Sequence, residues 1–193
     1  MNDEEEGVPA GDEIYGKVRG KFLVARLHTG GIFNRSVVWI PFFGKNEGAH
    51  GVIVNLPLGK SLGHCDPRFA GTPMADVPMF NGGPVDEERL SFLLRFPPAA
   101  DGVTASQYCS DGNVLRDAVL KPGVRAYAFA GCAEWSPGQL EGELANGFWY
   151  IAGADDEIWR AGGKIEFWRR LMRKIDAPGA FAASFAPVGL SLN

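Results

Sequence analysis

The residues of this chain whose types and spacing could do chemistry are few and scattered. His64-Cys65-Asp66 has the composition of a metal site. Neighbouring residues rarely ligate one ion together, however, and no second His or Cys pair stands at zinc spacing. His28 and His50 stand alone, so neither a metal nor a cofactor is expected. Cys132 follows an apolar run and precedes a loop, where reactive thiols can occur; the commoner role of a free Cys is as a small buried hydrophobe. No Ser or Cys has an identifiable base partner, so no catalytic residue is named. Gly82-Gly83-Pro84 could cradle an anion with consecutive amides, or make a tight turn between strands. The last candidates are Glu134 and Glu141, two carboxylates with no evident structural task.

Those carboxylates lie in the most informative stretch of the chain, Gly131 to Trp149. Ser136 reads as an N-cap and Pro137 as the first helical residue. Gln139 completes a Ser-x-x-Gln capping box, and Trp135 with Leu140 forms a hydrophobic staple. Asn146-Gly147 ends the helix. The pattern predicts a helix over 137–145, with Leu140 and Leu144 inward and Glu141 and Glu143 toward water. Trp135 and Trp149 could flank a pocket, although staple and core roles account for them.

Around this unit the chain reads mainly as strands: 20–25, 36–40 closed by Pro41, 51–55, a short one at 78–85 with a sharp turn, 91–96, 124–131 and 148–151. Residues 58–79, rich in Gly and Pro, read as a long loop. Asp111 should cap a helix carrying Val114, Leu115, Ala118 and Val119. Lys164 to Ile175 is amphipathic, with Ile165, Trp168, Met172 and Ile175 on one stripe and Arg170, Arg173 and Lys174 opposite. Strands outnumber helices without alternating regularly with them, which favours an α+β fold.

With 193 residues, 46% of them hydrophobic and 22% charged, the chain suits one domain that buries roughly 70% of its unfolded surface. The expected division is an acidic, solvated tail over 1–11 and one α+β domain over 12–193, the apolar stretch from 177 onward docking on the body. A net charge of −4 argues against broad nucleic-acid binding. No apolar run is long enough to span a bilayer. Met1 to Glu6 lacks the features of a signal peptide, and three cysteines in odd number suggest free thiols. A cytoplasmic location follows as the expectation.

Several segments in order and spacing carry a family likeness: Gly20-Lys-Phe-Leu-Val-Ala25, Phe33 with Arg35-Ser-Val-Val38, and Gly51-Val-Ile-Val-Asn-Leu-Pro57. To these are added Gly82-Gly-Pro-Val85, Gly131 with Trp135 and Pro137-Gly-Gln-Leu-Glu141, Glu143, and Asn146-Gly-Phe-Trp149. From about Gly16 to Ile175 the chain resembles the YqgE/AlgH family. The resemblance implies a single α+β domain with a coiled, bifurcated, mostly antiparallel sheet and a few short helices packed on it. It implies no established enzymatic activity, and one branch is named as a transcriptional regulator. The chain departs from the family pattern at Ala25-Arg26-Leu27, Thr29-Gly30-Gly31 and Phe43-Gly44.

The function expected from this reading is non-enzymatic binding or regulation, toward a small ligand or a protein partner. Its candidate ligand residues are Asn55, Gly82, Gly83, Pro84, Glu134, Trp135, Gln139 and Glu141, converging on one region at strand ends, where loops usually carry function. The alternatives are a DNA-binding regulator using Arg169, Arg170, Arg173 and Lys174, and a redox-responsive or enzymatic protein using Cys132.

Overall fold

The computed structural model of the chain describes residues 13–153 and 164–175. The acidic segment 1–11 and the apolar segment from 177 onward lie outside these residues. Among the described residues, nine strands join in one mixed sheet. The β-branched and aromatic runs form β1 (Phe22–Ala25), β2 (Val37–Gly44) and β3 (Gly48–Ile53), an antiparallel meander with β9 (Trp149–Ala152) on the other edge of β1. The hub is β8 (Arg125–Trp135). Its C-terminal end runs antiparallel to β3. Its N-terminal part lies between β5 (Pro78–Asn81), which is parallel to it, and β6 (Val85–Arg95), which is antiparallel. β4 (Pro57–Ser61) extends the β5 side and β7 (Ser106–Cys109) the β6 side. The sheet thus divides along β8, giving the curled, bifurcated α+β arrangement that the resemblance implied.

A close crossing of two backbones lets the sheet divide. Gly131 sits in β8 with φ +72, and Gly82 and Gly83 pass directly against it. A Cβ on Gly82 would stand 2.2 Å from the Gly131 carbonyl oxygen, and one on Gly83 would stand 2.2 Å from that of Cys132. Only residues without a Cβ can make this approach. Just beyond it the β6–β8 ladder jumps from Val85↔Cys132 to Leu90↔Ala130, so residues 86–89 bulge out opposite Gly131. Such a bulge bends the strand and re-aims its side chains, here leaving Arg89 at the rim of a cavity.

Among the described residues, five α-helices cover the sheet: α1 (Glu13–Val18), α2 (Leu62–Cys65), α3 (Gly112–Val119), α4 (Gln139–Ala145) and α5 (Lys164–Ile175). Among the described residues the core falls into three clusters. α5 closes the first, burying Phe167, Trp168, Leu171 and Met172 against Phe22, Val24 and Val37. Trp168 Nε1 donates to the Ala25 carbonyl oxygen at 2.6 Å. The buried stripe of α5 therefore centres on Phe167 and Leu171 as well as the expected Trp168 and Met172, while Ile165 and Ile175 are half-buried. The second cluster holds Trp135, Leu140 and Trp149. The third packs Leu115 and Ala118 of α3 against Phe92 and Leu94, and Asp111 caps that helix through the Asn113 amide at 2.8 Å.

Three local expectations differ from the structure. β2 does not stop at Pro41 but continues to Gly44, because an irregularity between Trp39 and Phe42 takes the proline out of the ladder. Residues 58–79 are not a bare loop: they include most of β4 and all of α2. β4 is exposed over most of its length, so it has no apolar alternation to read and is defined by pairing with β5 alone. Finally, α4 starts at Gln139, two residues later than predicted. Gly138 adopts φ +80 just before it, and the Ser136 hydroxyl makes no capping bond. Half of the capping box forms, with Gln139 Oε1 accepting from the Ser136 amide at 3.1 Å. At the other end Gly147 (φ +69) closes a Schellman motif, its amide donating to Leu144 O and that of Phe148 to Glu143 O.

Candidate functional site

Glu143 organises the first candidate region. Its Oε2 accepts from both Trp135 Nε1 at 2.9 Å and Trp149 Nε1 at 2.7 Å, and its Oε1 accepts from Gln139 Nε2 at 3.1 Å. The carboxylate is half-buried, not directed to water as its helical position suggested. The two indoles meet edge to face at 6.1 Å, and Phe33 packs edge-on to Trp149 at 5.8 Å. Together with Thr29, Glu134 and Phe148, these residues line a cavity of about 210 Å³. No cation among the described residues pairs with Glu143. The site thus combines aromatic walls with a fixed, uncompensated carboxylate. Of the expected ligand residues, it brings Glu134, Trp135 and Gln139 together. Trp135 and Trp149 have both roles at once, buried core and cavity wall.

The second region lies on the other side of Glu134. His50 in β3 stands directly opposite Glu134 in β8, and Cys132 shares the Glu134 face two residues earlier, as strand alternation requires. His50 Nδ1 is 3.5 Å from Glu134 Oε1, and Cys132 Sγ is 3.7 Å from the same oxygen. On its far side His50 Nε2 meets the Tyr108 hydroxyl at 2.7 Å. His50, Arg89, Ser91, Tyr108 and Cys132 line a cavity of about 260 Å³. Burial lowers the His50 pKa below its ordinary value, an effect the Glu134 carboxylate opposes. Burial, aided by Glu134, pushes the Cys132 thiol up to about 11. Burial pushes the Tyr108 hydroxyl up to about 12. Ser91 Oγ is buried without a well-formed hydrogen bond, although it lies near enough to Tyr108 to ease that rise. At neutral pH the cysteine is a buried thiol, not a thiolate nucleophile.

The remaining expected residues go elsewhere. Asn55 is buried and fully engaged: its Oδ1 accepts from the Val37 amide at 2.8 Å, and its Nδ2 donates to Arg35 O and Lys164 O at 2.9 and 2.8 Å. It ties the start of α5 to the β2 edge and lines neither cavity. Gly82 and Gly83 do not form an anion nest. The Gly82 amide donates to Ala130 O and the Gly83 amide to Asn81 Oδ1, and both glycines pack behind Gly131 and Cys132. Pro84 is exposed at the turn beyond them. Glu141 Oε1 accepts from the Tyr15 hydroxyl at 2.9 Å, which holds α1 against α4. The eight residues therefore do not meet in one pocket.

Two groupings escaped the sequence reading. His50 and Cys132 are far apart in the chain, and only the β3–β8 register unites them. The other is local. Gly59-Lys60-Ser61-Leu62-Gly63 has nucleophile-elbow spacing, and Ser61 Oγ lies 2.8 Å from His64 Nδ1, so a serine does have a base partner. Ser61, His64 and Asp76 line one open pocket of about 410 Å³, but the backbone around the serine is not arranged as in a hydrolase site. Ser61 is in ordinary extended backbone (φ −99). The Leu62 and Gly63 amides, where an oxyanion hole would form, donate to Val77 O and Ala75 O. All three cysteines are free, with Cys65 exposed, Cys109 half-buried and Cys132 buried.

Comparison with known proteins agrees with the fold. The AlgH-like family model matches residues 22–179. A UPF0301 protein of Mycolicibacterium smegmatis is 30% identical over 171 residues, spanning 83% of each chain. One of Ruegeria pomeroyi is 34% identical over 152 residues, 72% of this chain and 81% of that one. The crystal structure of a Corynebacterium diphtheriae protein superposes with a TM-score of 0.66 at 24% identity, covering 87% of this chain and 92% of that one. The solution structure of AlgH from Pseudomonas aeruginosa superposes with a TM-score of 0.58 at 25% identity, covering 97% and 95%. With its motifs, its divided sheet and these relatives in agreement, the chain belongs to the AlgH-like family.

Proposed function

We propose that this is a non-enzymatic binding protein whose aromatic cavity takes a cationic group, such as an ammonium or guanidinium carried by a small ligand or by a partner's side chain. The observation that carries this reading is the Glu143 carboxylate, held in place by two indole N–H donors and Gln139 in a cavity walled by Trp135, Trp149, Phe33 and Phe148. A cation over aromatic faces gains from the ring quadrupole, about 0.5–1 kcal/mol at exposed sites and about 2 or more when desolvated. The carboxylate adds a charge that nothing described in the protein neutralises. The candidate nucleophiles also speak for binding over catalysis: Cys132 is a buried thiol, and Ser61 has no oxyanion donors beside it.

The setting we propose is the cytoplasm. Its support is the three free cysteines, and no helix among the described residues is long and apolar enough to cross a membrane. A DNA-binding regulator has less support. Of its four proposed cations only Arg173 and Lys174 are exposed, while Arg169 and Arg170 are half-buried.

The test follows the indole N–H resonances of Trp135 and Trp149 while tetramethylammonium, N-acetyl-lysine methylamide and a neutral isostere are titrated. Both resonances should move with the cations at millimolar concentration and stay still with the neutral compound. In Glu143→Gln that preference should disappear. Equal responses to charged and neutral compounds, or none, would overturn the reading.

A further inference from the structure

We propose that His50, Cys132 and Glu134 bind one borderline-soft divalent cation of the zinc type, in a site that shares only Glu134 with the aromatic cavity and does not depend on that cavity's ligand. Their ligand atoms, Nδ1, Sγ and a carboxylate oxygen, all lie within 4.8 Å of one another. Tetrahedral zinc with ordinary metal–ligand lengths needs ligand–ligand separations of roughly 3.4–3.6 Å. The structure already places Nδ1 at 3.5 Å and Sγ at 3.7 Å from Glu134 Oε1. The three atoms can close on an ion by side-chain adjustment alone.

The scaffold suits this. All three residues stand on paired strands, His50 directly across from Glu134, and sites on strands are held more precisely than sites on loops. Tyr108 supplies the outer support. His50 Nε2 lies 2.7 Å from the Tyr108 hydroxyl; in the tautomer that donates Nε2–H to that oxygen, the Nδ1 lone pair is free for an ion held between Glu134 and Cys132. Ligating histidines are typically oriented in this manner. Zinc is favoured over calcium or magnesium because a thiol and an imidazole are poor ligands for hard cations. On binding, the Cys132 S–H bond breaks, its proton leaves to solvent, and a sulfur–metal bond forms. Since His50 and Cys132 line the 260 Å³ cavity, a fourth ligand, water or a small anion, can enter from there.

Cobalt(II) serves as the probe, added to protein treated with a chelator and then desalted. The expected result at one equivalent is intense visible bands of tetrahedral cobalt with a near-ultraviolet thiolate-to-cobalt band, both erased by zinc. Cys132→Ser should lose the thiolate band, whereas Cys65→Ser and Cys109→Ser keep it. Glu134 is exposed, so Glu134→Gln tests the site without disturbing the core and should weaken cobalt binding. Tyr108→Phe should weaken it roughly tenfold. Glu143→Gln should leave the cobalt spectrum unchanged, because Glu143 is not one of the three ligands, so a failure of this site and a failure of the aromatic-cavity reading can be told apart. The proposal is overturned by a folded protein that shows no thiolate band at stoichiometric cobalt. It is overturned equally by a band that survives Cys132→Ser or is lost with Cys65 alone.

Discussion

Trp135 and Trp149 donate their indole N–H groups to one and the same atom, Oε2 of Glu143, at 2.9 and 2.7 Å. Both rings are buried, with 5% and 6% of their surfaces exposed, so neither N–H has ready access to water. Glu143→Ala should leave two buried donors unpaired and cost about 2–4 kcal/mol. Glu143→Gln keeps one carbonyl acceptor and should lose clearly less. Urea midpoints at unchanged m-value measure both. An alanine variant within about 0.5 kcal/mol of wild type would mean that water replaces the carboxylate and that it fixes nothing.

Two glycine-to-alanine changes should have opposite signs. On Gly82 the new Cβ would meet the Gly131 carbonyl oxygen at 2.2 Å. Both sides of that contact are backbone, so neither can yield cheaply. Gly82→Ala should cost about 3 kcal/mol or more, or prevent folding. Gly142, inside α4, has nothing within 4 Å of its Cβ position, and alanine there should stabilise by about 0.5–1 kcal/mol through helix propensity. Thermal melts of the two variants decide it. A tolerated Gly82→Ala would refute the backbone crossing.

The contrast shows what could be read from the chain alone. Signals acting over a few residues were legible: the Asp111 cap, the Gly147 stop and the amphipathic α5, whereas the Trp135–Leu140 staple depended on a Ser136 cap that Gly138 replaces. The paired glycines were legible as a turn, but their task depends on Gly131, many residues away. Asn55 looked like a ligand residue because a polar side chain at a strand end has no local partner. Its three partners come from Arg35, Val37 and Lys164. His50 reads as a lone histidine and Cys132 only as a thiol for the same reason, since spacing rules for metal sites assume ligands close in sequence while a strand register can join any two. Glu143 was misread because helical periodicity places it outward, without showing that two indoles from flanking strands would close over it.

Alkaline pH should weaken the fold. Burial pushes Tyr108 from an ordinary 10.0 to about 12 and Cys132 from 9.0 to about 11. The folded chain thus holds these protons more tightly than the unfolded one. Above pH 9 unfolding releases them, so stability is fully present below that point and falls as pH rises toward 11–12. In metal-free protein the urea midpoint should decline over this range, less steeply in Tyr108→Phe. A flat profile would show that both groups reach water in the native state.

Asn55 offers the sharpest separation between a ligand residue and a structural one. With 2% of its surface exposed, it accepts from one amide and donates to two carbonyls. Asn55→Ala should unpair all three and cost roughly 2–4 kcal/mol, with faster amide exchange in the first turn of α5, where Lys164 O loses its donor. Asn55→Asp is the discriminating variant. It keeps the acceptor for the Val37 amide, but its second oxygen would face two carbonyl oxygens in a buried site. The near-isosteric change should therefore destabilise as much as alanine or more. The Trp135 and Trp149 indole responses to cations should survive in whatever fraction stays folded. If Asn55→Asp matched wild type in stability yet abolished those responses, Asn55 would belong to the binding site and its role in tying down α5 would be wrong.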